Sequence, residues 1–162
     1  MSLAEILMPE FDDEIKRTRI VLAAVPQDKL DWKPAEGFHS IGWNANHLAD
    51  MLSWTQVIIQ QAEFDIHPPG GEPHGTPNLM DPAEILESFD RNAAESRAIL
   101  AATDDNTFAE MWTMKMGGND LFTIPKWTCI RTWVMNHSFH HRGILSVYLR
   151  MAGVELTPIY DG

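Results

Sequence analysis

The chain has 162 residues, of which 44% are hydrophobic and 22% charged, a composition that suits one domain over residues 1–162 and reads as globular rather than disordered. Lys and Arg number 12 against 23 Asp and Glu, a net charge of −11 that repels a phosphate backbone. With no basic stripe interleaved with aromatic residues, nucleic acid is excluded as a partner.

No apolar run approaches the ~18 residues that a membrane span needs. The opening MSLAEILMPEFDDE has no basic stretch and soon turns acidic, so no membrane association is expected and the cytoplasm is the expected compartment. Cys129 is the only cysteine, which rules out an intrachain disulfide and reads as a small buried thiol.

In chain order, Leu7, Phe11, Ile15, Thr18, Leu22 and Val25 recur at steps of three and four and predict a first amphipathic helix. Pro9 places the start of its regular part there, after a kink or loose turn, and Pro26 ends it. PQDKLDWKPAEGFHS reads as a loop. Ser40 is the predicted cap of a second helix from Ile41 to Ala62. FDIHPPGGEPHGTPNLMDP is then a long Pro/Gly loop, of a kind that is often functional in a compact domain.

DPAE, Asp81 to Glu84, opens a third helix with an Asp cap and Pro at the first helical position. Two β-prone runs, Trp112–Met116 and Leu121–Ile124, flank Gly117-Gly118-Asn119-Asp120 and predict a hairpin. A last helix follows from Trp127 to Met151, with Gly153 as its stop. The expected fold is all-α: a four-helix bundle with a small β-hairpin inserted before the last helix.

Helical phase singles out three of the seven histidines. At about 100° per residue, His137 and His141 share the apolar stripe of the last helix with Ile130, Trp133, Ile144, Tyr148 and Met151. His140 falls at its flank, and Arg131, Arg142 and Arg150 fall on the wetter side. On the second helix His47 lies in phase with Trp43, Met51, Trp54 and Ile58. Three inward imidazoles are either core residues bonded to backbone carbonyls or ligands of one divalent ion. His-x3-His plus a third histidine from a facing helix is a set that leaves positions open for water or substrate. Ser138 follows His137, so the His-Glu-x-x-His pattern does not apply.

Asn44 lies within reach of the same face, either touching the site or packing. Asp50, to the other side, is a candidate to orient a ligand imidazole or to act as a base. His140 is a candidate flanking residue. His39 reads as a capping or loop residue. His67 and His74 read as solvated loop residues that can line a pocket mouth. Trp43, Trp54, Trp112, Trp127 and Trp133 read as core.

Two stretches resemble the DinB/YfiT-like superfamily, and the resemblance covers nearly the whole chain. They are LDWKPAEGFHSIGWNANHLADM, Leu30 to Met51, and HSFHHRGILSVYLRMAGVELTPIY, His137 to Tyr160. The resemblance implies a four-helix bundle, commonly dimeric, with a divalent metal on three histidines. Carried over, the ligands are His47 of NANHLAD with His137 and His141 of the His-x3-His-Arg-Gly element. Ile144 stands where many relatives have Gln. Zn or Ni would suit the site first, with Fe or Mn also possible.

Relatives with known activities include transferases that use a low-molecular-weight thiol such as bacillithiol or mycothiol. The expected function is therefore metal-dependent S-transfer from such a thiol to a small electrophilic substrate. The alternatives are a metal-dependent hydrolase and a non-catalytic metal-binding stress protein. A homodimer is expected, in part because Met135 and Phe139 fall on the outward face of the last helix.

Overall fold

Ser2 sets the start of the first helix. In the computed structural model, which describes residues 1–160, α1 spans Leu3–Ala23. The Ser2 hydroxyl accepts from the Glu5 N–H at 3.2 Å and the Glu5 carboxylate accepts from the Ser2 N–H at 2.8 Å. This reciprocal capping box holds a full extra turn and a half ahead of Pro9, so the helix does not begin at Pro9. Pro9 lies inside α1, where it forgoes one hydrogen bond.

A short 3-10 turn, Gln27–Lys29, leads to α2, Ile41–Met51. The Ser40 hydroxyl caps α2 by accepting from the Trp43 N–H at 3.1 Å. Gly42 donates to the Leu30 carbonyl at 2.8 Å, and a Cβ there would stand only 3.0 Å from that oxygen. The second helix is not continuous to Ala62. It stops at Met51, turns through Leu52 and Ser53, and resumes as α3, Trp54–Gln60. The Ser53 N–H bonds the Asp50 carbonyl at 2.9 Å, an i→i+3 contact that tightens the chain at the break.

Part of the predicted loop is a strand, β1, Glu63–Asp65. Asp81 then caps α4, Pro82–Ala102, and a short α5, Asp105–Ala109, follows. The hairpin forms as expected from β2, Met111–Met116, and β3, Asn119–Pro125. Its two-residue turn needs positive φ at both positions, which Gly117 at +61° and Gly118 at +79° supply. β1 pairs parallel with β2 and β2 antiparallel with β3, and the Asp65 carboxylate at the end of β1 accepts from the N–H groups of both turn glycines.

The last helix runs unbroken in three pieces. They are α6, Lys126–Cys129, a π-helical segment, Ile130–Asn136, and α7, His137–Met151. α1 packs on α4 and α7, and α2 packs on the same two. The four helices thus form a bundle in which the first two in sequence lie across a diagonal. Its core joins Leu7, Phe11, Leu48, Phe89, Leu100, Ile130 and Leu145 among others. No helix among the described residues is long and apolar enough to cross a membrane.

Two readings of the last helix are corrected by its surroundings. The wider i→i+5 turns of the π segment alter the helical phase between Ile130, which is buried as expected, and His137. Trp133, expected inside, is 46% exposed, while Met135, expected outside, is 3% exposed. Beyond the shift, α7 occupies a corner of the bundle and is covered by α2 on one side and α1 on another. Phe139 is accordingly half-buried and packs toward α1, so neither residue offers an outward dimer face. Arg142 is likewise buried rather than wet. It pairs with Glu14 of α1 and donates to the Tyr160 hydroxyl at 2.6 Å.

This ion pair welds α1 to α7. Removing Glu14 leaves the buried Arg142 charge uncompensated, whereas removing Arg142 leaves Glu14 its second partner, Arg17, at 2.7 Å. Glu14→Ala should lower the unfolding free energy by about 3 kcal/mol in urea titrations and Arg142→Ala by less, whereas Arg91→Ala, at the surface, should change it by less than about 0.5 kcal/mol.

Candidate metal centre

α2 and α7 face each other across the bundle, and each turns histidines into the seam. His137 and His141 are one turn apart on α7, so both rings lie on the side that meets α2. His47 reaches them from α2. One nitrogen from each of the three rings lies within 4.8 Å of the others. The nearest pair, His141 Nε2 and His137 Nε2, is 3.1 Å apart. Trp43 stacks between His39 and His47, with centroid separations of 3.5 and 4.7 Å.

The surrounding hydrogen bonds decide which nitrogens carry hydrogens. Asn44 donates its amide N–H to the Ser40 carbonyl at 2.9 Å. Its Oδ1 therefore faces His141 Nδ1, 3.1 Å away. An amide oxygen only accepts, so Nδ1 carries the hydrogen and His141 Nε2 presents a lone pair. The Trp133 backbone carbonyl lies near His137 and favours its protonated form, while His137 Nε2 faces His141 Nε2. Thr76 Oγ1 engages His47 Nδ1 at 3.0 Å, leaving Nε2 as the remaining donor atom of that ring.

His141 Nε2 therefore meets His137 Nε2 at 3.1 Å as an acceptor. None of the three rings is driven to take up a further proton. Burial, then the neighbouring imidazoles, pushes His47 down to about 4. The same causes push His141 down to about 3. Burial and the nearby His140 also lower His137, against the pull of the Trp133 carbonyl. A cluster of neutral imidazoles with converging lone pairs fits a divalent cation, which satisfies all three at once.

A cavity of about 240 Å³ opens beside the cluster. His47 and His137 form one wall, and Trp54, Ile58, Trp112 and Met114 form much of the rest. Its mouth is strapped by residues 67–80. The His74 N–H donates to the Ile66 carbonyl at 2.7 Å, Thr76 bonds His47, and Leu79 exchanges two 2.9 Å hydrogen bonds with the Asn46 side chain. Cys129 lies in the cavity wall, and burial pushes its thiol up to about 12, so it stays protonated. On the other side of the cluster His141 borders an open groove of about 640 Å³ with Phe38, His39, His140 and Ile144.

Of the other residues singled out in the sequence, Asn44 touches the cluster directly through His141. Asp50 does not. It lines the cavity and faces His74, with Oδ2 3.7 Å from Nε2. His140 is exposed, its ring centre 5.0 Å from that of His141. His67 is exposed and outside the cavity. Among the tryptophans only Trp112 is fully buried. Trp133 stacks on Phe122 at 5.2 Å, and Trp127 is largely exposed. Thr76, Asn46 and the Trp133 carbonyl went unnoticed in the sequence. Two of these act through loop or backbone contacts that leave no periodic trace, while Asn46 carried one signal, a polar side chain on a buried helix face.

The family model of the DinB superfamily matches residues 10–145. No curated protein matches the chain. Three solved structures share its fold. A DinB-like protein from Bacillus subtilis is 17% identical, with a TM-score of 0.68 over 96% of this chain and 98% of that one. A DinB-like protein from Bacillus cereus is 20% identical, with a TM-score of 0.69 over 94% of each. YfiT from Bacillus subtilis, described as a probable metal-dependent hydrolase with an unusual four-helix bundle topology, is 18% identical, with a TM-score of 0.64 over 90% of this chain and 89% of that one.

If the cluster holds an ion as its lone pairs suggest, His137→Ala and His141→Ala should each abolish tight Zn or Ni binding by calorimetry. His140→Ala should keep most of it, and Asn44→Ala should weaken it by roughly 10–100-fold. Equal losses from all four would refute the assignment. The metal-free protein should also be acid-labile. In the unfolded chain these histidines take up protons near pH 6.5, but in the folded chain His47 and His141 resist until about 4 and about 3. Stability is therefore unaffected well above pH 6.5, falls as pH drops from about 6.5 towards the folded values, and levels off below them. Melting curves of His47→Gln/His141→Gln should show a shallower fall.

Proposed function

The chain belongs to the DinB superfamily, and from that footing we propose that it is a metal-dependent hydrolase of a small, largely apolar molecule, with His47, His137 and His141 as the ligands. The convergence of three imidazoles, two half-buried and one buried, beside a largely apolar cavity carries this reading. Three nitrogen ligands leave coordination positions open and suit Zn or Ni first, with Fe or Mn also accommodated. When bound, such an ion lowers the pKa of a water or of a cosubstrate thiol and polarises the bond under attack.

The chain's own side chains do the rest. Asn44 holds His141 in the tautomer that turns the Nε2 lone pair inward, and Thr76 fixes the orientation of the His47 ring. Trp54, Ile58, Trp112 and Met114 take the apolar body of the substrate and exclude bulk water from it. Asp50 and His74 are the side chains of the chamber, outside the cluster, that can take up or release a proton. The description of YfiT as a probable metal-dependent hydrolase supports the same chemistry.

A second reading, S-transfer from a low-molecular-weight thiol of the bacillithiol or mycothiol type, draws support from one observation. The cluster lies between the enclosed cavity and the open groove at Phe38 and His140, which leaves room for two reactants.

Metal content by mass spectrometry of untagged protein, paired with turnover of a panel of small aryl esters and amides, tests these readings. Hydrolysis predicts about one ion per chain and thiol-independent turnover that vanishes in His47→Ala. Turnover only with added thiol and an electrophile would favour transfer. Metal that raises the melting temperature with no turnover in either assay would overturn both in favour of a non-catalytic metal protein.

A further inference from the structure

Asp50 is the one carboxylate among the described residues of the cavity wall, and no Lys or Arg joins it there. Its side chain is only 18% exposed. It is poorly satisfied where it stands: the Ser53 hydroxyl reaches Oδ1 at a long 3.4 Å, and His74 Nε2 stays 3.7 Å from Oδ2, beyond hydrogen-bond length. Burial pushes the Asp50 carboxyl up, and His74 and Ser53 offset this only in part. A carboxylate so placed gains from any donor that enters the cavity.

Aromatic rings surround that end of the chamber. Trp54 meets His74 edge to face at 4.8 Å and Phe64 at 5.1 Å, and Trp112 closes the wall behind. A lone carboxylate among aromatic rings is a set that holds an alkylammonium, by a charge-assisted hydrogen bond and by the ring faces. The same set repels an anion.

We propose that the cavity binds a small amine in its ammonium form, with the nitrogen at Asp50 and the apolar body against Trp54 and Trp112. This rests on the reading of the cavity as the substrate chamber, and it names the substrate class as an amine-bearing molecule. Asp50 follows His47 by three residues on α2, a spacing of roughly 5–6 Å between side-chain origins. The bond that reacts therefore lies about one helical turn from the nitrogen.

Calorimetric binding of benzylamine, benzyl alcohol and benzoate near neutral pH tests it, on the full chain loaded with Zn and again after chelation. Benzylamine should bind at least about tenfold tighter than benzyl alcohol in both preparations, and benzoate should not bind. Asp50→Asn should abolish the preference for the amine while keeping the affinity for the alcohol, and His74→Gln should retain the preference. Equal affinities for amine and alcohol in the wild type, or a preference that survives Asp50→Asn, would overturn the proposal. If circular dichroism shows Asp50→Asn unfolded, the wild-type ratio alone decides. A wild type that prefers the amine but binds no Zn would keep the ammonium site and remove the metal reading, and the converse result would do the reverse.

Discussion

Three imidazoles that converge on one point are the constraint around which this fold is arranged. Two of the rings are held by a partner on the outer nitrogen, and each partner comes from a different part of the chain. Asn44 is one turn ahead of His47 on α2, and Thr76 sits in the strap. The π segment ends at Asn136, immediately before His137. Its irregular turns set the register in which α7 begins. The strap is fastened at both ends of its contact with α2, by Thr76 to His47 and by Leu79 to Asn46. A helix packing, a helix irregularity and a loop conformation thus answer to one local electrostatic problem.

The arrangement of the cavity follows from the break in the second helix. With α2 ending at Met51 and α3 restarting at Trp54, the chain changes direction between the histidine end and the hydrophobic end of the chamber. Asp50 lies just before that break, and Trp54 and Ile58 just after it. The three-stranded sheet closes the far wall with Trp112 and Met114 of β2. β1 is held to that sheet by Asp65 and runs directly into the strap. The hairpin, which by sequence is only an insertion, is therefore part of the chamber.

Much of this was legible in the sequence where structure is periodic. His137 and His141 share a regular α-helix and His47 sits within another, so counting 100° per residue brought the three rings to one seam. Counting failed where the helix changes type: across the π segment it reversed Trp133 and Met135. It also failed at Arg142, because a corner helix is covered on two sides and a charge pattern does not reveal the second. The Ser2–Glu5 capping box was written plainly in SLAE but was outweighed by Pro9. The roles of Thr76 and of the Trp133 carbonyl have no sequence signature, since a loop threonine and a main-chain oxygen acquire meaning only once the chain has folded.

The diagonal placement of the first two helices bears on how the protein is made. Asn44 and His141 are 97 positions apart, and the long crossovers of the bundle keep their helices separate until the final one docks. Pairings so remote in sequence form late, because loop closure precedes the contacts that reward it. On a ribosome α2 would emerge with an open seam, exposing His47 and its apolar neighbours until α7, some 97 positions on, had been synthesised. His137 and His141, by contrast, become neighbours as soon as one turn of α7 forms. The cluster would thus assemble from a preformed local pair and a distant third member, making completion of the centre one of the last events in the folding of the bundle.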